Sequence, residues 1–127
     1  MAILFDWQAN GSCVMGDENR VRQIFANLLT NGIKFSPPGG VVHVCGTEDG
    51  GDLVVSVMDE GRGIAEPDLA HIFEEFYQAP GRSSHGAGLG LAIARELTAA
   101  HGGTIEVSST LGSGTSFEVR LPCWTEA

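Results

Sequence analysis

Apolar residues recur along this chain with two different periods, and the changes of period outline its elements. Residues 3 to 8 have the apolar and aromatic content of a short strand, closed by a turn at Asn10-Gly11-Ser12. From Asp17, a residue suited to capping, to about Phe35 the spacing becomes that of a helix, and Pro37-Pro38-Gly39-Gly40 ends it. "VVHVCGT" (41–47) and "DLVVSVMD" (52–59) read as two strands joined across Glu48-Asp49-Gly50-Gly51 as a hairpin. A short helical piece is expected around Leu69 to Phe76, then a polar loop, "YQAPGRSSHGA". A helix from Leu89 to about Ala100 follows, ended at His101-Gly102-Gly103. "TIEVSST" and "TSFEVRL" alternate apolar with polar residues around "LGSG" and predict a second hairpin. Hairpins with helices between them predict an α+β fold, one mixed or antiparallel sheet carrying helices on one face.

Chemistry enters where polar residues depart from plain surface patterning. On the first helix, Val21, Ile24, Phe25, Leu28, Leu29 and Phe35 form the expected core stripe, and Arg20, Gln23, Asn27, Asn31 and Lys34 line up opposite in a narrow wedge. A solvated face is the plain explanation, yet asparagine is a poor helix former. Two of them four residues apart, then a lysine, suit a ligand-binding face, because neutral amide oxygens can hold Mg²⁺ beside phosphates and the lysine can meet the phosphates. "DEGRGI" (59–64) follows an almost wholly apolar strand. It can be a simple turn, or Asp59 can accept a hydrogen bond from an exocyclic amine while Gly61 and Gly63 let a flat base lie against the backbone. Guanine would present a carbonyl there, so such a site would choose ATP over GTP.

"HGAGLGLAIA" (85–94) places glycines at 86, 88 and 90 and then runs into a helix. The glycines serve either as punctuation or as a backbone that admits a polyanion to the amides at a helix start. There is no Gly-Lys-Ser/Thr ending and no G-x-G-x-x-G, which excludes a Walker loop and the dinucleotide and protein-kinase glycine loops.

Composition narrows the partners. The 127 residues carry a formal charge of −9 with seven Lys and Arg residues, so no basic patch exists to neutralise nucleic acid, and direct contact with an anionic membrane is not expected. No apolar run approaches the roughly 20 residues that span a bilayer, and no signal peptide is evident. The expected location is cytoplasmic, any membrane anchor of a parent protein lying outside this chain. Three cysteines, Cys13, Cys45 and Cys123, have no C-x-x-C spacing and suit reduced, buried thiols.

Taken in order, Asn27-x-x-x-Asn31-x-x-Lys34-Phe35, Asp59-x-Gly61-x-Gly63-Ile64, Ile72-Phe73-Glu74-Glu75-Phe76, Gly86-x-Gly88-Leu89-Gly90-Leu91 and Gly112-x-Gly114-Thr115-x-Phe117 resemble the N box, two glycine boxes, F box and final glycine-Thr motif of the catalytic ATP-binding domain of bacterial sensor histidine kinases. That superfamily also holds gyrase-type topoisomerases, Hsp90 chaperones and MutL. The resemblance covers about residues 14 to 122. It implies a Bergerat fold, a two-layer α/β sandwich whose mixed sheet of about five strands is covered on one face by about three helices, with an ATP lid over residues 77 to 87. It implies ATP and Mg²⁺ as cofactors, the metal held by Asn31 with Asn27 assisting. It assigns Lys34 to phosphate, Asp59, Gly61, Gly63 and Ile64 to the base, and Thr115 to support of the base. Tyr77, Arg82, Gly86, Gly88, Leu89, Gly90 and Leu91 fall to the lid and phosphate end, with Arg82 either at the γ-phosphate or solvated. Phe73 and Phe76 are expected to pack the lid's base.

Three positions depart from the family pattern: Gly32 where alanine is common, and His85 and Ala87 where glycine and threonine are frequent. His43, His71, His85 and His101 all lack the helical, acidic-followed setting of a phosphoacceptor and read as structural. The resemblance therefore implies a protein-histidine kinase catalytic domain filling residues 1–127. Its partners would be the parent's dimerisation and phosphoacceptor helices and, through them, a response regulator; it would not label itself in isolation. An anti-sigma-factor-type serine kinase and an ATP-gated interaction module remain the alternatives.

Overall fold

A computed structural model describes residues 2–9, 13–77 and 89–124. Five strands form one sheet in the order β1-β2-β3-β5-β4: β1 (Ala2–Trp7), β2 (Val41–Asp49), β3 (Asp52–Asp59), β4 (Thr104–Thr110) and β5 (Gly114–Pro122). β1 runs parallel to β2 and the other pairs are antiparallel, so the sheet is mixed. Among the described residues three helices lie between the strands, α1 (Glu18–Phe35), α2 (Glu66–Leu69) and α3 (Gly90–Ala100), and α1 and α3 pack side by side.

The strand pleat decides which side is covered. Leu53, Val55 and Val57 on β3 stand in register with Leu121, Val119 and Phe117 on β5. All six are buried and, with Ile24 and Leu28 of α1 and Ala94 of α3, build the core. On the opposite face Arg120 of β5 lies beside Val54 and meets Asp49 at 3.0 Å, Glu118 at 3.2 Å and Asp52 at 3.6 Å. Its paired carboxylates hold the Arg120 guanidinium above its ordinary value, Asp49 foremost.

α1 begins where the sequence places it, with Asp17 Oδ1 accepting from Arg20 N at 3.1 Å. Its fully buried residues are Ile24, Leu28 and Gly32, and Val21, Phe25, Leu29 and Phe35 of the expected stripe are half-buried beside them. Around the helix Asn31 lies about 20° and Asn27 about 60° from Ile24, so the asparagines flank the Ile24 edge of the core instead of opposing it. A Cβ at Gly32 would meet Val42 at 3.6 Å and Asp59 Cβ at 3.8 Å, ordinary contacts. Gly32→Ala is therefore expected to stabilise the fold by about 1 kcal/mol, raising the melting temperature by about 4 °C in a thermal scan.

The short helix differs from expectation. α2 covers Glu66–Leu69 because Pro67 can occupy only a first turn, and Leu69 to Phe76 instead follows tight turns. Amides of His71, Glu74 and Tyr77 bond the carbonyls three residues back. The three cysteines form no disulfide, and against the expectation of burial Cys13 is exposed and Cys45 and Cys123 are half-buried.

Candidate functional site

Three adjacent strands place a polar row at one end of the helix-covered face. Asp59 ends β3, its register partner on β5 is Thr115, and the partner of Thr115 on β4 is Ser109. Two residues toward the sheet centre the same row reads Val57, Phe117 and Val107. Polarity is thus buried here against the local pattern, with Asp59 8% and Thr115 4% exposed.

A buried carboxylate needs donors, and the Gly61 amide supplies one to Asp59 Oδ1 at 2.8 Å. Its approach depends on missing side chains: a Cβ on Gly61 would lie 2.3 Å from the Phe35 carbonyl oxygen at the end of α1. Gly63 (φ +76°) would put one 2.2 Å from the Thr110 oxygen, and Gly114 (φ +126°) one 2.1 Å from the Asp59 oxygen. Helix end, glycine turn and β4–β5 hairpin therefore meet at backbone distance. Gly112 N donates to Arg62 O at 2.6 Å and Ile64 N to Ser109 Oγ at 2.8 Å, tying the turn to the hairpin. The Ile64 side chain itself belongs to the core.

The flank of α1 leads from this wall to α3. Asn27 Nδ2 donates to the Gly90 carbonyl at 3.0 Å, which fixes the first turn of α3 against α1. One turn further along α1, Asn31 holds its Nδ2 buried without a hydrogen-bond partner among the described residues. Such a group costs stability unless its partner arrives with a ligand. α3 starts with Leu89 in the N-cap position and no side-chain cap, so the amides after it face outward from the positive helix end. Lys34 is exposed in the last turn of α1, and Leu91 packs on the core. Among the described residues no three His, Cys, Asp or Glu side chains gather as a metal cage. Arg82, Gly86, Gly88 and positions 78–87 of the expected lid lie outside the described residues.

The residues leading to that segment divide. Phe73 packs edge-on to Phe117, ring centroids 6.0 Å apart, beneath the Arg95 guanidinium. Phe76 is 65% exposed, packed on none of the core among the described residues, with φ +65°, a conformation that costs an ordinary side chain energy. Tyr77 donates its hydroxyl to Asp68 and rests its ring near His71.

That hydrogen bond, then burial, then the charges of Asp68 and Glu74 raise the Tyr77 phenol above its ordinary value of 10.0. A raised folded value means the bond stabilises the fold fully below the ordinary value and is lost as pH rises through the folded one. Tyr77 is the sole tyrosine. A phenolate absorbance titration should therefore show one alkaline midpoint displaced upward, and Asp68→Ala should return it toward normal.

The described histidines are structural in their contacts. His101 Nδ1 donates to the Leu97 carbonyl at 2.8 Å while Nε2 accepts from Asp17 N at 3.3 Å, bracing the start of α1 on the end of α3. His71 bonds Glu74 at 2.5 Å, and His43 lies within β2. Sequence reasoning missed Ser109. Its signal was present: alternation through Ile105 and Val107 puts a serine on the apolar face.

Residues 16–125 match the family model described as "Histidine kinase-, DNA gyrase B-, and HSP90-like ATPase". The chain is 39% identical over 117 residues to the sensor-like histidine kinase SenX3 of Mycobacterium tuberculosis, covering 90% of this chain and 28% of that protein. It is 41% identical over 113 residues to the sensor histidine kinase WalK of Bacillus subtilis, covering 84% and 18% respectively. Among solved structures, the mycobacterial sensor histidine kinase MprB superposes with a TM-score of 0.86 at 32% identity, over 98% of this chain and 86% of that one. Full-length ShkA in complex with AMPPNP superposes at 0.80 with 38% identity, over 98% of this chain and 26% of that one.

Proposed function

The chain belongs to the histidine kinase-, DNA gyrase B- and HSP90-like ATPase family, and on that premise we propose that it binds Mg-ATP and donates the γ-phosphoryl to a histidine on a separate dimerisation helix. The observation that carries this reading is the continuity of the buried Asp59–Thr115 wall, the asparagine flank of α1 and the uncapped start of α3. One end accepts an exocyclic amine; the other offers amides to phosphates. The AMPPNP complex of ShkA supports the same ligand class.

Asp59 reads adenine, Thr115 supports it, and Gly61 and Gly63 keep the backbone close to the ring plane. Lys34 and the amides from Gly90 onward meet phosphate oxygens. The unmet Asn31 amide fits a phosphate acceptor at Nδ2, and its oxygen is a neutral ligand for a divalent cation; Asn27, anchored through its own Nδ2 to Gly90, supports that position from one turn away. Bound Mg²⁺ would neutralise charge developing on the transferring phosphoryl. The protein then has to align γ-phosphate and nucleophile, since this reaction asks little covalent chemistry of it. In the same reading residues 1–127 are the catalytic unit of a longer cytoplasmic or membrane-anchored kinase. The parent's dimerisation helices receive the phosphoryl and a response regulator receives it next.

Calorimetry with a non-hydrolysable ATP analogue, with and without Mg²⁺ and beside its GTP counterpart, tests the site. Magnesium-dependent, adenine-selective binding is expected; its absence sinks the proposal. Labelled ATP tests the transfer: the isolated chain should acquire no acid-labile label, while the parent's helical segment should acquire it in trans. Label on a serine of a small partner protein would move the chain to the serine-kinase branch, and tight binding without transfer would make it a nucleotide-gated module.

A further inference from the structure

Resting on the ATP reading of this site, we infer that Ser109 is a positioning residue that sets which bases the site accepts, by fixing the direction of the Thr115 hydroxyl. Ser109 Oγ touches three groups: Ile64 N at 2.8 Å, Gly114 O at 2.8 Å and Thr115 Oγ1 at 2.9 Å. A serine hydroxyl has one proton and two lone pairs. The Ile64 amide can only donate, so it takes one lone pair. The Gly114 carbonyl can only accept, so it takes the proton. One lone pair remains, and Thr115 must donate to it.

The Thr115 proton is thereby committed toward β4, and the hydroxyl presents lone pairs to its other neighbours. Asp59, its register partner on β3, is likewise an acceptor when ionised. The wall made by Asp59 and Thr115 thus offers acceptors alone, with no donor to reward a base carrying a carbonyl where adenine carries its amine. Excluding a 6-carbonyl purine takes both residues: Asp59 supplies the charge, and Ser109 keeps Thr115 from rotating to donate instead. Three features support a positioning role over simple strand packing. Ser109 is half-buried on the face that carries Ile105 and Val107, it makes all its contacts to groups bordering the base wall, and one of them holds the glycine turn.

The test compares Ser109→Thr with Ser109→Val, side chains of nearly one shape that differ by the hydroxyl. Binding of the Mg complexes of ATP and of inosine triphosphate, the 6-carbonyl counterpart, is measured for the parent chain and both variants, and the affinity ratio is read. The ratio is insensitive to a general loss of fold. Ser109→Thr should keep the parent ratio. Ser109→Val, with Thr115 free to turn, should narrow it on the order of tenfold, chiefly by improved relative acceptance of inosine triphosphate. Equal ratios in the Thr and Val variants overturn the inference alone. Failure of the parent chain to bind either nucleotide overturns the ATP reading and this inference with it.

Discussion

Replacing Asp59 by Asn is expected to weaken binding of an adenine nucleotide about a hundredfold while leaving the benefit from Mg²⁺ intact. The carboxylate is buried and receives the Gly61 amide at 2.8 Å. An asparagine there has one oxygen. Turned to keep the Gly61 bond, it aims its NH₂ at the exocyclic amine of the base, donor against donor; turned the other way, it abandons Gly61. Either arrangement loses a charge-assisted bond and leaves a buried donor unmet, together costing about 3 kcal/mol. The same NH₂ can donate to the carbonyl of a guanine, so the preference for adenine should shrink as affinity falls. Calorimetric titration with ATP and GTP analogues reads both effects. Unchanged ATP affinity, or a loss equal for the two bases, would show that Asp59 does not face the purine.

Much of this arrangement was legible in the chain because punctuation is local. Pro37 to Gly40, Gly50-Gly51 and Gly102-Gly103 stop elements for steric reasons that operate within a few residues, and β2, β3, α1 and α3 fall within about two residues of where the pattern puts them. What the pattern could not supply is which face turns inward when glycine belongs to the core. Gly32 has no hydrophobic signature, yet it lies against Val42 and Asp59 at one edge of the buried line, while Asn31, about 20° from Ile24 around α1, borders the core at the other. The displaced α2 has a similar cause. Apolar content from Leu69 to Phe76 suggests a helix, but Ile72 and Phe73 reach the core, Phe73 against Phe117, from successive tight turns while Phe76 stays exposed, a tertiary solution that spacing alone does not encode.

Ser109 shows the same limit. Its role exists only once β4 stands beside β5 in the register Ser109–Thr115, and that pairing also brings the Ile64 amide within reach from 45 residues away. Base recognition here is therefore a property of the sheet end as a unit. α1 joins it to the phosphate end: its last turns pass Asp59 at Gly32, while Asn27 one side over grips the first residue of α3.

Asn31→Ala should separate stability from function more sharply than any other substitution. Asparagine is a poor residue for a helix interior, and this one keeps Nδ2 buried with no partner among the described residues. Alanine removes both defects, so the variant is expected to melt at a temperature equal to or above the parent's, with a gain of about 1 kcal/mol. Function should move the opposite way. With the amide gone, the cation loses its ligand oxygen and the phosphate its Nδ2 donor, so Mg²⁺ should no longer tighten nucleotide binding and binding without Mg²⁺ should weaken severalfold. Transfer to the dimerisation helix should fall by about a hundredfold or more, the range seen when one group that stabilises transition-state charge is removed. A thermal scan, paired titrations with and without Mg²⁺, and labelled-phosphate transfer measure the three quantities on one preparation. A more stable chain that has lost magnesium dependence and transfer would identify Asn31 as a residue kept for its ligand at the expense of the fold. Retained magnesium dependence would remove Asn31 from the metal site, whatever the stability change.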